Sequence, residues 1–568
     1  AGGAGMSFRN WCSAALAAAA LAALPGLAGP VVESAQPASA EPRMSAEDAM
    51  FETLVAEFAA QRGDTQGAIE IYQRMARELR DPHLARRAVE LAIRSRSFAP
   101  ALESASLLLE LESDSTLARE IMAALLANDS SIDKARDTLA GILGRTGDRG
   151  AMLMQLPHLF AKFKDKAAVL EAIGQLAGRY ADLPQAHHAV GVAALVAGDV
   201  AAAGREADRA LELGPAWEPG AILKAEVLQR ADPAAVGPFY RGFVERHPES
   251  LEVRMQYGRV LAGERKLAEA REQFREAGRL APKDAQPAYA AGLLSLQLEE
   301  YGEATAAFTR ALKLDYREPA AIYFGLGQAS EGMRRYDEAI AWYQKVDSGD
   351  WVRAQLKIAT LMAREQGLAA GRDYLRRIEP RTGDDRIRVI QVEAQLLRDA
   401  KAWRETYDML SQAVAEYPDS FELLYDRAMA AERIDRLDVL EQDLRRVIQM
   451  KPDYAHAYNA LGYTLAEKTD RLEEAKDLIE KAVKLSPDDP FILDSLGWVN
   501  FRLGRVDEAL KHLQSAYAAR PDPEIAAHLG EVLWKVGQRD QAQKIWREAL
   551  TENPDHETLT SVMQKYRP

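Results

Sequence analysis

A glycine, a small residue twelve positions on, a bulky residue four further, a second small residue and then a proline recur along this chain about every 34 residues. Gly497 leads to Ala509, Leu513, Ala516 and Pro521; Gly530 leads to Ala542, Trp546, Ala549 and Pro554. Gly258 leads to Ala270, Phe274, Ala277 and Pro282, and Gly191 to Ala203, Ala207, Ala210 and Pro215. Gly292 leads to Ala304, Phe308 and Ala311, with Tyr316 where the proline should stand. The step from Gly258 to Gly292 is 34, from Gly462 to Gly497 it is 35, and from Gly497 to Gly530 it is 33. A period of that length means stacked helical hairpins.

Packing explains each position. A glycine inside a helix costs about 1 kcal/mol relative to alanine, so Gly530 must serve a contact. The glycine and the two alanines stand where two helices approach too closely for larger side chains. The bulky residue fills the remaining gap, and the proline ends the second helix because it cannot continue the hydrogen-bond ladder. A second glycine seven residues later (Gly198, Gly504, Gly537) falls at the turn, where a left-handed conformation is often required.

This series resembles the tetratricopeptide repeat, whose consensus runs W-L-G-Y, then A, F, A and P. Further copies centre on Gly327 with Ala339 and Tyr343, on Ala394 with Leu410 and Pro418, on Ala428 with Leu444 and Pro452, and on Gly462 with Ala475, Ile479, Ala482 and Pro487. Weaker copies run from about Met50 through Ala101 and Ala135, while 150–184 and 346–385 keep helical periodicity but lose the grid. About eleven to fifteen repeats fit. The resemblance implies an all-α fold, a right-handed superhelical solenoid of tetratricopeptide hairpins. The absence of alternating β-branched segments flanked by hairpin turns agrees with an all-α class.

The expected organisation is an artefact or tag at 1–5, a secretory signal peptide at 6–40 and a linker at 41–48. Degenerate repeats follow at 49–185, central repeats at 186–345, a degenerate repeat at 346–386, C-terminal repeats at 387–554 and a polar capping helix at 555–568, as solenoid ends require. The signal expectation rests on Arg9 in a short basic start, an Ala/Leu run from residue 14 to 24, and Ala38–Ser39–Ala40 ahead of Glu41. That run is too short to span a bilayer, which takes roughly 20 residues, so export to the periplasm or the periplasmic face of the outer membrane is expected. Translation from Met44 in the cytoplasm is the competing reading. Cys12, the single cysteine, precedes the apolar run and so is misplaced for bacterial lipidation; after cleavage no cysteine would remain.

The formal net charge of −14 argues against nucleic acid, which demands basic patches. The same charge also suits a solvated acidic surface that keeps a long chain soluble. No P-loop, G-x-G-x-x-G after a strand, H-E-x-x-H or G-x-S-x-G motif is present. The one close histidine pair, His187 and His188, is adjacent and points to different faces of a helix, without partners at i+3 or i+4 for a metal. Surface or packing roles are expected for both. No catalytic residue, metal site or cofactor is therefore expected, and the chain reads as a non-enzyme.

A solenoid offers a concave groove lined by the first helix of each hairpin. With the contact glycine counted as position eight, positions five, nine and twelve face it. Near the C-terminus these are Asn459 and Tyr463; Asp494, Trp498 and Phe501; and Glu531 and Trp534; midway they include Tyr289, Phe324 and Tyr425. Aromatic side chains suit interface anchoring; the alternative is that they pack between neighbouring repeats. A carboxylate clamp is not evident from Asn459 and Lys535 alone.

The stretch 459–538, with "LGYTLAEKT", "ILDSLGWV" and "IAAHLGEVLW", is similar to the C-terminal repeats of proteobacterial envelope tetratricopeptide proteins. Among them are outer-membrane lipoproteins that act as adaptors of a periplasmic carboxyl-terminal processing protease. The resemblance implies a scaffold whose partners are that serine protease and its peptidoglycan-hydrolase substrates. An assembly factor for a secretion, pilus or polysaccharide-export complex is the alternative.

Overall fold

The computed structural model describes residues 44–566 apart from 114, 130 and 555. The expected tag, signal segment and Cys12 lie outside the described residues. Every regular element among the described residues is helical, from Ala46–Gln61 to Glu557–Lys565, with two short 3-10 turns at Gly178–Tyr180 and Pro233–Ala235. Within each unit most consecutive helices pack on one another, and the first helices of successive hairpins also touch, as Ala455–Lys468, Pro490–Arg502 and Pro523–Lys535 do. The chain divides into two compact units, one ending at Leu298 and the next beginning at Glu299, and each is an all-α stack of tetratricopeptide hairpins among the described residues.

In the C-terminal unit the local sequence sets each boundary. Asp489 caps Pro490–Arg502 by accepting from the Phe491 and Ile492 amides at 2.9 and 3.2 Å, and Pro490 takes the first helical position. Asp522 and Pro523 repeat the arrangement one hairpin later. The second helices, Leu472–Leu485 and Val506–Ala519, stop two residues before Pro487 and Pro521.

The contact glycines stand where the spacing predicts. A Cβ at Gly497 would lie 2.6 Å from Leu513 Cγ and 3.1 Å from the Ala509 carbonyl, and one at Gly530 would overlap the Trp546 ring. Each glycine therefore admits the bulky residue sixteen positions on, and Leu513 and Trp546 are buried as a result. In the N-terminal unit Gly258 does the same for Phe274, at 2.9 Å, whereas Gly191 makes room for Leu223 of the next hairpin, at 2.6 Å.

The stretch without the grid, from 346 onward, is also a hairpin. Trp351–Gln366 and Leu368–Arg377 join at Gly367, whose φ of +95° opens the turn. Here the close approach is inverted: a Cβ added at Gly371, on the second helix, would overlap Ala363 and lie 2.7 Å from the Ala359 carbonyl. The final helix, Glu557–Lys565, buries Leu559 and lays Tyr566 over Trp546 and Trp534 at 5.9 and 5.6 Å between ring centres.

Candidate functional site

Four successive first helices of the C-terminal unit, Phe421–Glu432, Ala455–Lys468, Pro490–Arg502 and Pro523–Lys535, line a cavity of about 640 Å³. It brings together four of the sequence-named residues: Tyr425, Asn459, Tyr463 and Asp494. Position five supplies Asn459 and Asp494, and position nine supplies Tyr463. Thr558 of the final helix reaches the same cavity. Its neighbour Glu557 pairs with Lys401 at 2.7 Å and stands 3.9 Å from Arg433, so the end of the chain returns to a turn 156 residues earlier.

The other candidates have different surroundings. Trp498 is only 7% exposed; it stacks on His528 at 4.4 Å and donates from Nε1 to Glu467 at 2.8 Å. Phe501 is half-buried and leans on Trp498. Glu531 is buried and accepts from Lys565 Nζ and the Tyr566 hydroxyl, each at 2.7 Å. Trp534, half-buried, stacks on Trp546 and touches Tyr566. Phe324 is buried against Tyr343 beneath the Arg353 guanidinium, and Tyr289 lies half-buried in the N-terminal unit.

His528 escapes a reading by helix position. It is buried, with Nδ1 2.9 Å from an Asp494 oxygen and Nε2 3.3 Å from the Tyr463 hydroxyl. Burial opposes its charged form, but the Asp494 carboxylate outweighs burial and holds the His528 pKa above the ordinary value. Both ring nitrogens are engaged, so this His–Asp pair links three repeats and leaves no nitrogen for a proton from a bound substrate. The signal was present in the spacing: Asp494 and His528 stand 34 residues apart, one repeat.

Five carboxylates line the cavity, from Glu432, Asp435, Glu467, Asp494 and Glu524, against the two cations of Arg433 and Lys468. Burial pushes the Glu432 carboxyl above its usual range despite a hydrogen bond from Thr464, and the Tyr463 and Tyr425 phenols are raised by the same cause. The Asn459 Oδ1 atom is buried and accepts no hydrogen bond from the described residues.

A second surface, also not singled out by sequence, lies on the N-terminal helix Ala46–Gln61. Met50, Phe51, Leu54 and Phe58 are 66, 67, 53 and 59% exposed, whereas Ala56 is fully buried. Their spacing of three or four residues sets them on one side of the helix, and a stripe of that kind marks a contact surface. No helix among the described residues is long and apolar enough to cross a membrane.

Tetratricopeptide-repeat family models match residues 289–351, 455–489 and 501–566. A TPR repeat-containing protein of Pseudomonas aeruginosa is 31% identical over 202 residues, which are 35% of this chain and 34% of that relative. The match thus spans about a third of the curated relative's length. Among solved structures, a thermophilic TPR protein of Thermus thermophilus is 22% identical, covering 30% of this chain and 95% of that one with a TM-score of 0.28. PilF of Pseudomonas aeruginosa is 22% identical, covering 36% of this chain and 95% of that one, also at a TM-score of 0.28. Over the matched residues the chain carries tetratricopeptide repeats, which indicate a protein–protein interaction scaffold, and these family models indicate no catalytic family.

Proposed function

We propose that this scaffold works in the bacterial cell envelope as an adaptor that binds a carboxyl-terminal processing protease and presents peptidoglycan-hydrolase substrates to it. The observation that carries the reading is that the two units bear unlike contact surfaces. An adaptor needs two. The apolar stripe on Ala46–Gln61 suits a lasting partner, because permanent interfaces are the more hydrophobic ones. The polar cavity of the C-terminal unit suits short-lived clients, whose segments must be released after cleavage. The likeness of 459–538 to envelope adaptor proteins, and the signal-like opening from Met6, support an exported protein whose lasting partner is the protease.

The test is to express the chain from Met6 in its native background, purify it from the envelope fraction, and identify its N-terminus and bound proteins by mass spectrometry. A start at Glu41 with a PDZ-containing carboxyl-terminal processing protease bound is expected, and Phe51→Glu with Phe58→Glu should release the protease without loss of helical content. An unprocessed chain in the cytoplasm, or a secretin or export channel in place of the protease, refutes the reading.

A further inference from the structure

We propose that the C-terminal cavity takes an extended polypeptide segment bearing lysine or arginine, with Glu432 and Glu524 meeting its positive charge and Asn459 its backbone. The identity of that segment as a client rests on the adaptor reading; the chemistry of the cavity does not.

The carboxylates are not equivalent. Asp494 is occupied by His528, and Glu467 takes the Trp498 indole at 2.8 Å with Arg502 at 3.9 Å. Glu432 accepts only the Thr464 hydroxyl, at 3.3 Å, and among the described residues neither it nor Glu524 forms an ion pair, although Lys468 and Arg433 both act on Glu432 from a greater distance. Arg433, the nearest candidate in sequence, turns instead to Glu557 and to the face of Trp403 at 4.6 Å. A carboxylate withdrawn from water without an ion-pair partner is costly, and at Glu432 burial outweighs the Thr464 hydrogen bond and the more distant Lys468 and Arg433, so its pKa rises. A cation brought by a ligand removes that cost.

The remaining groups specify what carries the cation. The buried, unpartnered Asn459 Oδ1 is an acceptor for an N–H donor, which every residue of a peptide except proline provides. Tyr425 and Tyr463 offer ring surface to the aliphatic stems of lysine and arginine. At about 640 Å³ the cavity is the size of sites that hold a small ligand, about 300–1,000 Å³, so it accepts a short extended segment rather than a folded domain. An acidic segment, or a free chain terminus offering its carboxylate, would meet like charge.

The experiment is calorimetric titration of the full chain with three ten-residue peptides alternating alanine with lysine, glutamate or serine, at low and at physiological salt. The lysine peptide should bind, more weakly as salt rises, and the glutamate peptide should not. Glu432→Gln with Glu524→Gln should lower lysine-peptide affinity at least tenfold. Glu548→Gln with Glu552→Gln, which removes the same charge from another helix, should leave it within twofold. Asn459→Ala should weaken the lysine peptide several-fold without changing its salt dependence. Equal binding of the lysine and glutamate peptides, or equal effects of the two double variants, overturns the proposal. Because protease capture is measured separately, a chain that retains the protease but shows either of those results loses this inference alone; a chain that prefers the lysine peptide but captures no protease loses the adaptor reading alone.

Discussion

Acidification should loosen one place in the N-terminal unit before the rest. His188 lies in helix Pro184–Ala197 with its Nδ1 buried and without a hydrogen-bond partner, and its ring meets Trp217 edge-on at 5.5 Å. Burial pushes its pKa down from 6.5 to about 4. The depressed value means that the unfolded chain takes the proton more readily, so the contribution is intact above pH 6.5 and is lost as pH falls toward 4. At about 1.36 kcal/mol per unit of pKa, the loss between pH 7 and pH 5 is about 2 kcal/mol. In a repeat array each hairpin contacts only its neighbours, so the effect should be local. Hydrogen exchange corrected for its intrinsic pH dependence should show protection of Pro184–Ala197 and Glu218–Ala231 falling about twentyfold from pH 7 to pH 5. His188→Phe should abolish that drop, and His187→Gln, which removes a half-buried ring bonded to Glu206 at 2.7 Å, should preserve it. Unchanged protection in the natural chain, or an equal drop in His188→Phe, would refute the reasoning.

His528 should behave oppositely, because its folded pKa is raised: its contribution is complete below pH 6.5 and is lost as pH rises through the raised value, so protection of Pro523–Lys535 should fall on going alkaline. A flat profile there would count against the Asp494 pairing. Gly530→Ala should destabilise the last hairpin by about 1–3 kcal/mol in urea unfolding, although alanine ordinarily gains about 1 kcal/mol in a helix, because its Cβ would overlap Trp546; a gain would disprove the steric role. Trp498→Ala should cost about 3–5 kcal/mol, confined to the last repeats. Loss of lysine-peptide binding with unchanged unfolding would show the ring to be a contact residue instead.

The hairpins were legible because their determinant is steric and nearly local. A glycine and the bulky residue sixteen positions on must share one gap, and the pairs Gly258–Phe274, Gly497–Leu513 and Gly530–Trp546 do so. The stretch from 346 lost the grid only because its close approach moved to the other helix, at Gly371, where a pattern anchored on the first helix does not look. The turn rule was legible in part. Gly198, Gly504 and Gly537 have φ of +86, +78 and +89°, but Arg265, Arg334, Lys401 and Asp435 adopt +62, +59, +55 and +57° in other turns. A left-handed residue costs about 1–2 kcal/mol outside glycine, which the packing of a whole hairpin outweighs, so the turn does not oblige glycine.

The groove was harder to read because helix position gives a side chain's direction and not what stands opposite. That is decided one repeat away: Trp498 meets Glu467 across 31 residues, Asp494 meets His528 across 34, and Glu531 meets Lys565 across 34. A groove residue is consumed by packing when the residue about 31 to 35 positions off is its chemical complement. The same comparison does not mark the residues left over. Arg398 and Lys401 stand 34 and 31 positions before Glu432, yet Arg398 pairs with Asp426 and Lys401 with Glu557. A cation one repeat away can thus be taken by another carboxylate, so the groups that face the cavity unpaired emerge only when every pairing across the period is resolved together.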